Sequence, residues 1–461
     1  MKIGMLPLYL KLYNETCSFM RPRVEAFRDT IVEKLSDLGL EIVCAPICAE
    51  KADFLSAVKE FEKQGVAAMI TLHMAYSPSL ESIDALAGTD LPIVVLDTTD
   101  NYEFDSSVSA EEIHYNHGIH GVQDMCNLLL RRGKAFEIFA GHHEHSNVLE
   151  RVVNFCRGLE IAAAFRGAKI GIVGEPFKGM GDFQVPFDEL KRDFGMQVTH
   201  YDFKDGEKRI AAVTDDEIAS ERLADEKLFR WDASVTDEIY ERTARVCLAL
   251  RKWMEEQKFN GISVNFLATD GSPRGLPFMP FTECSKAMTR GIGYGGEGDV
   301  LTAAFCGAVL QAFPQTTFTE MFCPDWKGGS VFLSHMGELN YRICAEKPRL
   351  TEKDFPFTSA DNPTVAYGTY MPGKAVLMNL LPCGSGKYTL ILVPGEILPV
   401  HGENKMEESV NGWFKSKTPL DTLLEEYSRA GGTHHSVLCY ADCFDALVSF
   451  ASEMGFTCIV I

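Results

Sequence analysis

The first 141 residues alternate apolar runs of strand length with amphipathic runs of helix length, and this alternation constrains the fold more than any other feature. Lys2–Leu8 and residues 41–45, 66–72, 92–97 and 135–140 read as strands. Pro22 opens a helix whose Val24, Phe27, Ile31, Leu35 and Leu38 fall on one stripe, and Gly39 stops it. Residues 52–64 read as a second helix, ending at Gly65. Strands this apolar, separated by amphipathic helices, predict a doubly wound parallel sheet covered on both faces. Ligands on such sheets gather beyond the carboxyl ends of the strands. That places Leu8-Tyr9 and residues 73–78 and 97–100 on one rim.

Residues 147–166 read as a connecting helix, after which a second α/β unit opens with a strand at 169–174 and a loop at 175–183. Residues 214–217 (Thr-Asp-Asp-Glu) and 234–237 (Ser-Val-Thr-Asp) look like capping-box helix starts. The second leads into a long helix carrying Ile239, Val246, Leu250 and Trp253, and residues 261–266 form another strand. The unit closes on residues 291–299, Gly-Ile-Gly-Tyr-Gly-Gly-Glu-Gly-Asp. Five glycines there leave the backbone free to take positive φ and to approach a ligand. Asp299 stands where an N-cap belongs, ahead of a helix at 300–313 with Leu301, Ala304, Phe305, Ala308, Val309 and Ala312 on one face. A capped tight turn accounts for Asp299 and the glycines, but not for the carboxylate of Glu297.

Beyond Phe313 the texture changes to β-branched or alternating runs split by Gly and Pro: 316–322, 330–334, 364–370, 375–381 and 388–393. This predicts a β-rich, antiparallel, barrel-like domain, with a helix near 420–428 and a strand at 457–461. The expected organisation is an N-terminal Rossmann-like α/β domain over 1–165, a central α/β domain over 166–315 and a β-rich C-terminal domain over 316–461.

Composition narrows the function. A formal charge of -21 repels nucleic acid and anionic membrane alike. No apolar stretch is long enough to span a bilayer. The run after Met1 is too short and wrongly flanked for a signal peptide. Fourteen cysteines without a C-x-x-C pair read as reduced thiols, so the cytoplasm is the expected compartment.

The residues able to carry chemistry are scattered. Glu320 sits in a strand among Thr and Phe, where an acid by default faces solvent. His335 ends the strand at 330–334 and reads by default as a strand-end histidine bonded to backbone, while His434-His435 follow a glycine turn and read by default as polar loop residues. Together with Glu297 they make a mixed O/N set suited to Mn²⁺, Co²⁺ or Mg²⁺ rather than a thiolate zinc site. Two other motifs compete. Residues 141–145 (Gly-His-His-Glu-His) are the densest histidine cluster and equally suit a solvated loop. Residues 383–387 (Cys-Gly-Ser-Gly-Lys) hint at a phosphate loop, but a strand follows rather than a helix, so they read as a hairpin turn.

Four segments carry a resemblance to the L-arabinose isomerases and their L-fucose isomerase-like relatives. Residues 291–299 with Thr302-Ala-Ala look like that family's Gly-Tyr-x-x-x-Gly-Glu-Gly-Asp segment. Thr317-Phe-Thr-Glu320 and Ser334-His335-Met336 are similar to its next two motifs, and residues 430–437 to its Ala-Gly-Gly-x-His-His motif. Residues 116–121 (Asn-His-Gly-Ile-His-Gly) match more weakly. The resemblance runs in order through most of the chain, densest over 283–340 and 429–437. It implies a divalent metal, usually Mn²⁺, held by Glu297, Glu320, His335 and His435, with the two glutamates as the acid/base pair. It also implies that His120 reaches the sugar from a neighbouring subunit of a homotrimer or homohexamer. Tyr76, Phe177 and His434 fall near sugar-binding positions. The implied reaction interconverts an aldose and a ketose through an enediol, with one carboxylate moving the carbon-bound proton.

The chain also departs from the family. Leu6-Pro7 stand where arabinose isomerases carry a glutamine, the segment 268–280 is longer, and the chain ends at Ile461 without the usual tail. These departures spare the metal set and leave the sugar open, fucose and substituted hexoses included. A non-catalytic sugar-binding protein is the alternative, since two doubly wound units around a cleft also describe periplasmic receptors. The β-rich third domain counts against it.

Overall fold

A computed structural model describes residues 1–272, 275–384 and 386–461. The chain divides into two compact units, Met1–Leu159 and Glu160–Ile461.

In the first unit β1 (Lys2–Leu8), β2 (Glu41–Cys44), β3 (Ala68–His73), β4 (Ile93–Asp97) and β5 (Glu137–Ala140) form one parallel sheet in the order β2-β1-β3-β4-β5. Its central strands are buried on both faces, as their unbroken apolar runs require. The helix Arg21–Asp37 carries Pro22 in its first turn and buries Val24, Phe27, Ile31 and Leu35 of the expected stripe, while Leu38 is its half-buried C-cap. The strand order reverses direction between β1 and β3, which puts the crevice of this sheet beyond Leu8 and His73. Helical turns at Ile113–Asn116 break at His117, and a second helix runs Gly118–Arg131. Gly118 and Gly121 seat that helix directly on His73: a Cβ on Gly118 would lie 2.9 Å from the His73 carbonyl oxygen, and one on Gly121 would strike its ring.

In the second unit β6 (Lys169–Val173), β7 (Gln197–His200), β9 (Gly261–Val264) and β10 (Gly293–Gly296) form a parallel sheet in the order β10-β9-β6-β7. A small sheet joins β8 (Arg230–Trp231) to β13 (Arg349–Glu352) and β14 (Thr364–Tyr367). A mixed seven-stranded sheet follows the order β15-β18-β11-β12-β17-β16-β19. Its members are β11 (Thr316–Asp325), β12 (Ser330–Ser334), β15 (Gly373–Pro382), β16 (Tyr388–Ile397), β17 (Gly412–Ser416), β18 (His435–Cys439) and β19 (Thr457–Val460). All its pairings are antiparallel except β16 with β19. β15 also pairs with β16 along its whole length, so the pairings of six strands run round in a ring, the barrel-like feature of this region. The turn between these two strands is the segment 383–387, of which Ser385 lies outside the described residues. The box at Thr214–Glu217 forms as expected, but the next long helix is capped by Thr236, not Ser234.

The glycine motif is the main departure from expectation. Residues 293–296 are a strand, not a loop, and their glycines serve close packing. A Cβ on Gly293 would collide with the Ala303 carbonyl and the Gly307 amide, and one on Gly307 with the Asn260 carbonyl. The helix Val300–Ala312 therefore lies at backbone contact on β10 and β9, while its other sides meet β11, β15 and β18. Every residue from Val300 to Leu310 is buried, which is why the expected single stripe is not observed. Substituting Gly307 with Val should cost at least about 3 kcal/mol, since backbone rather than a flexible side chain must move. Gly181→Ala, where a Cβ meets nothing within 4 Å, should stay within ~0.5 kcal/mol. Urea midpoints check this; equal midpoints for both variants would contradict the packing assigned to the motif.

Candidate metal centre

Three neighbouring strands and one turn deliver the site, all within the second unit. In β11 Glu320 pairs with Ser334 of β12 on one side and with His435 of β18 on the other. Residues directly opposite in antiparallel strands share a face, so Glu320 and His435 lie side by side. His335 joins them one residue past the end of β12. Glu297 comes from the turn after β10 with φ 51°, one of two non-glycine residues in the left-handed region among those described. That conformation costs on the order of 1–2 kcal/mol, and hydrogen bonds hold it. The Glu297 amide donates to the Val264 carbonyl (3.2 Å), and the Phe177 amide donates to the Glu297 carbonyl (2.9 Å). Ser263 Oγ donates to the Gly295 carbonyl (2.6 Å) and accepts from the Gly298 amide (2.9 Å).

One ligand-type atom from each of Glu297, Glu320, His335 and His435 lies within 4.8 Å of the other three. His435 Nε2 is 3.0 Å from Glu297 Oε2 and 3.2 Å from Glu320 Oε1, and His335 Nε2 is 3.4 Å from the same Glu320 oxygen. Gly296 makes room for both rings: a Cβ there would stand 3.2 Å from His335 Nε2 and 3.4 Å from His435 Nε2. The far nitrogens are held by further carboxylates, His335 Nδ1 by Glu338 at 2.6 Å and His435 Nδ1 by Asp299 at 2.9 Å. A carboxylate only accepts, so each Nδ1 carries the proton and each Nε2 turns toward the cluster. Asp299 also caps the helix Val300–Ala312, its Oδ1 accepting from the Thr302 amide at 2.9 Å. Tyr294 Oη donates to Glu338 Oε1 at 2.7 Å, so both oxygens of that fully buried carboxylate are used.

The electrostatics follow from this packing. Burial alone would raise the carboxyl of Glu297, but the facing imidazoles of His335 and His435 hold it well below its ordinary range. Burial alone would lower both imidazoles. The Glu338 and Glu320 charges drive His335 far up, as do the hydrogen bonds of Asp299, Glu297 and Glu320 for His435. Among the described residues no Lys or Arg pairs with Glu297 or Glu320. The donors are two carboxylates and two correctly turned imidazoles with no thiolate, a set that fits a divalent cation of the Mn²⁺, Co²⁺ or Mg²⁺ kind.

The other residues singled out from sequence lie elsewhere. Phe177 belongs to the loop docked on Glu297, its ring 5.7 Å from that of Phe266. His434 is half-buried beside His435, with ring centroids 4.2 Å apart. Tyr76 and His120 belong to the first unit. Tyr76 Oη donates to Asp124 (3.3 Å), and His120 is exposed at the start of its helix. The cluster at 142–145 does not gather around a point: His143 Nδ1 meets the Thr99 carbonyl, His142 Nε2 the Asp100 carbonyl, and His145 packs on Tyr102. The glutamate grouping is the one candidate metal cluster among the described residues. Sequence reading missed Glu338 and Tyr294 altogether and saw in Asp299 only a cap. The His335-x-x-Glu338 spacing was a visible signal; nothing in the sequence pointed to Tyr294.

Comparison with known proteins agrees with these motifs. Residues 188–312 match the L-arabinose isomerase central domain and residues 315–457 the L-arabinose isomerase C-terminal domain. The chain is 25% identical to an L-arabinose isomerase of Halalkalibacterium halodurans, over 91% of this chain and 86% of the relative. It is 23% identical to one of Shouchella clausii, over 99% and 93%. Among solved structures, a periplasmic solute-binding protein from Actinobacillus succinogenes with bound D-allose covers 68% of this chain and 89% of its own at 13% identity. Its TM-score is 0.17, too low to imply a shared fold.

The two carboxylates nearest His335 should differ sharply in what they contribute to stability. Glu338→Ala strands a buried imidazole and a buried phenol, and should cost about 3–5 kcal/mol in metal-free protein. Glu320→Ala removes a carboxylate that is 13% exposed and whose contacts to the His335 and His435 Nε2 atoms are longer, 3.4 and 3.2 Å, and should cost only about 1–2 kcal/mol. Denaturant unfolding of both variants measures the difference; equal costs would contradict the assigned partners.

Proposed function

The chain belongs to the L-arabinose isomerase family of sugar isomerases, and from that premise we propose that it interconverts an aldose and a ketose at a divalent-metal site made by Glu297, Glu320, His335 and His435. The observation that carries this reading is the convergence of four donor atoms within 4.8 Å, both imidazoles already turned by buried carboxylates. A divalent cation held there, Mn²⁺ in the first instance, would supply positive charge to the two adjacent sugar oxygens.

The chain's own residues move the protons. Glu297, which the bound cation would hold ionised, is placed to accept one. Glu320 stands at the partly exposed edge of the cluster, where a substrate arrives. One of the pair takes the carbon-bound proton and returns it to the neighbouring carbon, and the other carries the hydroxyl proton, so the reaction passes through an enediol. Phe177, from the loop docked on Glu297, lines the sugar pocket. L-Arabinose is the first substrate to test, followed by L-fucose and other aldoses.

A further contact comes, on this reading, from a neighbouring subunit of a homotrimer or homohexamer, with His120 reaching the sugar, and Tyr76 lines the sugar pocket. The rim of the first unit supports this. There the Tyr9 hydroxyl, both ring nitrogens of His73 and the Ser77 hydroxyl are buried without a hydrogen-bond partner among the described residues, and such atoms call for a polar ligand or water. We assign the cytoplasm as the compartment, on a composition rich in unbridged cysteines.

A coupled screen of aldoses and ketoses tests the activity, with turnover expected under added Mn²⁺ and abolished by chelator. Metal must displace protons from two imidazoles whose affinity for them is raised, so the Mn²⁺ Kd should tighten from pH 6 to pH 8. A pH-independent Kd, or full turnover in metal-free protein, would sink the metal assignment. If sites are shared, Glu297→Gln and His120→Ala proteins should each be inactive and regain activity when dissociated and reassembled together. Mixed oligomers, verified by mass, with no more activity than the separate variants would place His120 outside a shared site.

A further inference from the structure

The loop between β6 and the helix Phe187–Phe194 makes a second connection to the site, through Asp182. One oxygen, Asp182 Oδ2, accepts from both the His434 backbone amide (3.0 Å) and His434 Nδ1 (2.7 Å). The next residue, Phe183, stacks on His435 with centroids 4.9 Å apart and planes 20° from parallel. The loop is otherwise pinned by Asn265 Nδ2 donating to the Glu175 carbonyl (2.6 Å) and Gln184 Nε2 donating to the Phe177 carbonyl (2.7 Å). His434 is therefore not free to swing. Since Asp182 can only accept, Nδ1 is the donor of that bond, which turns Nε2 away from Asp182. That nitrogen has no partner among the described residues and sits on a side chain 38% exposed, next to His435.

We infer that Asp182 is a positioning residue that fixes His434 so that its Nε2 makes a hydrogen bond with a hydroxyl group of the sugar. This rests on the isomerase reading and extends it to how the sugar is held. Polyols are the ligand class that a ring nitrogen held in this way selects. A hydrogen bond made equally in ground and transition states changes KM rather than kcat.

The test is steady-state kinetics of Mn²⁺-loaded variants on the best aldose of the isomerase screen, together with Mn²⁺ binding by calorimetry. Asp182→Ala should raise KM ~10-fold, the value of one hydrogen bond, with kcat changed less than ~2-fold. Asp182→Asn keeps an acceptor oxygen and should recover most of the loss. His434→Ala should match Asp182→Ala, and the double variant should be no worse than either single one, because both remove the same contact. Mn²⁺ affinity should hold within ~2-fold throughout. An unchanged KM, additive effects, or a loss of Mn²⁺ affinity as large as the rise in KM would each overturn the inference, the last by making Asp182 a support of the metal cluster. Should Asp182→Ala fail to fold, the Asp182→Asn and His434→Ala pair decides. Failure of wild-type protein to turn over any sugar would instead reject the isomerase reading itself.

Discussion

The site depends on a backbone contact between β10 and the helix Val300–Ala312. Gly293 and Gly307 let strand and helix approach closer than any side chain permits. That contact fixes the turn joining them, and the turn holds both Glu297 and Asp299. Because the same helix is buried on its other sides by β11, β15 and β18, it sets the turn's place relative to the strands that carry Glu320 and His435. The left-handed Glu297 is a local cost that this packing absorbs.

The second constraint is charge. Four carboxylates, those of Glu297, Glu320, Asp299 and Glu338, surround two imidazoles in a region where three of the four acids are almost wholly buried. Like charges so close and so dry are tolerable only with compensating positive charge. In metal-free protein the imidazoles supply it by holding protons tightly. A divalent cation bound there would take the place of those protons, on rings whose orientation Glu338 and Asp299 already set. The arrangement resembles a lock on two rings more than a flexible chelate. It accords with the near-complete burial of Glu338 and Asp299.

Much of this was legible in the sequence, and the misses have physical causes. The parallel strands of the first unit stood out because strands buried on both faces are written as unbroken apolar runs. The strand at Gly293–Gly296 did not, because glycine has weak strand preference and its role is steric, visible only once a helix lies across it. His435 read as a loop residue for a similar reason: the glycine turn before it hid the start of β18. Glu320 defaulted to solvent because a single strand cannot reveal which face its sheet buries; the register against Ser334 and His435 decided it. The family motifs named the four converging residues, while Tyr294 and Asp182, which act only through neighbours brought close by folding, left no local pattern to read.

The central claim is that one divalent ion binds among Glu297, Glu320, His335 and His435. Its most direct test is a crystal grown or soaked with Mn²⁺ and measured across the manganese absorption edge. The account predicts one dominant anomalous peak per chain, within coordinating distance of all four side chains, with His335 and His435 bound through Nε2. An anomalous peak at the 142–145 histidines instead, or none at saturating Mn²⁺, would contradict it.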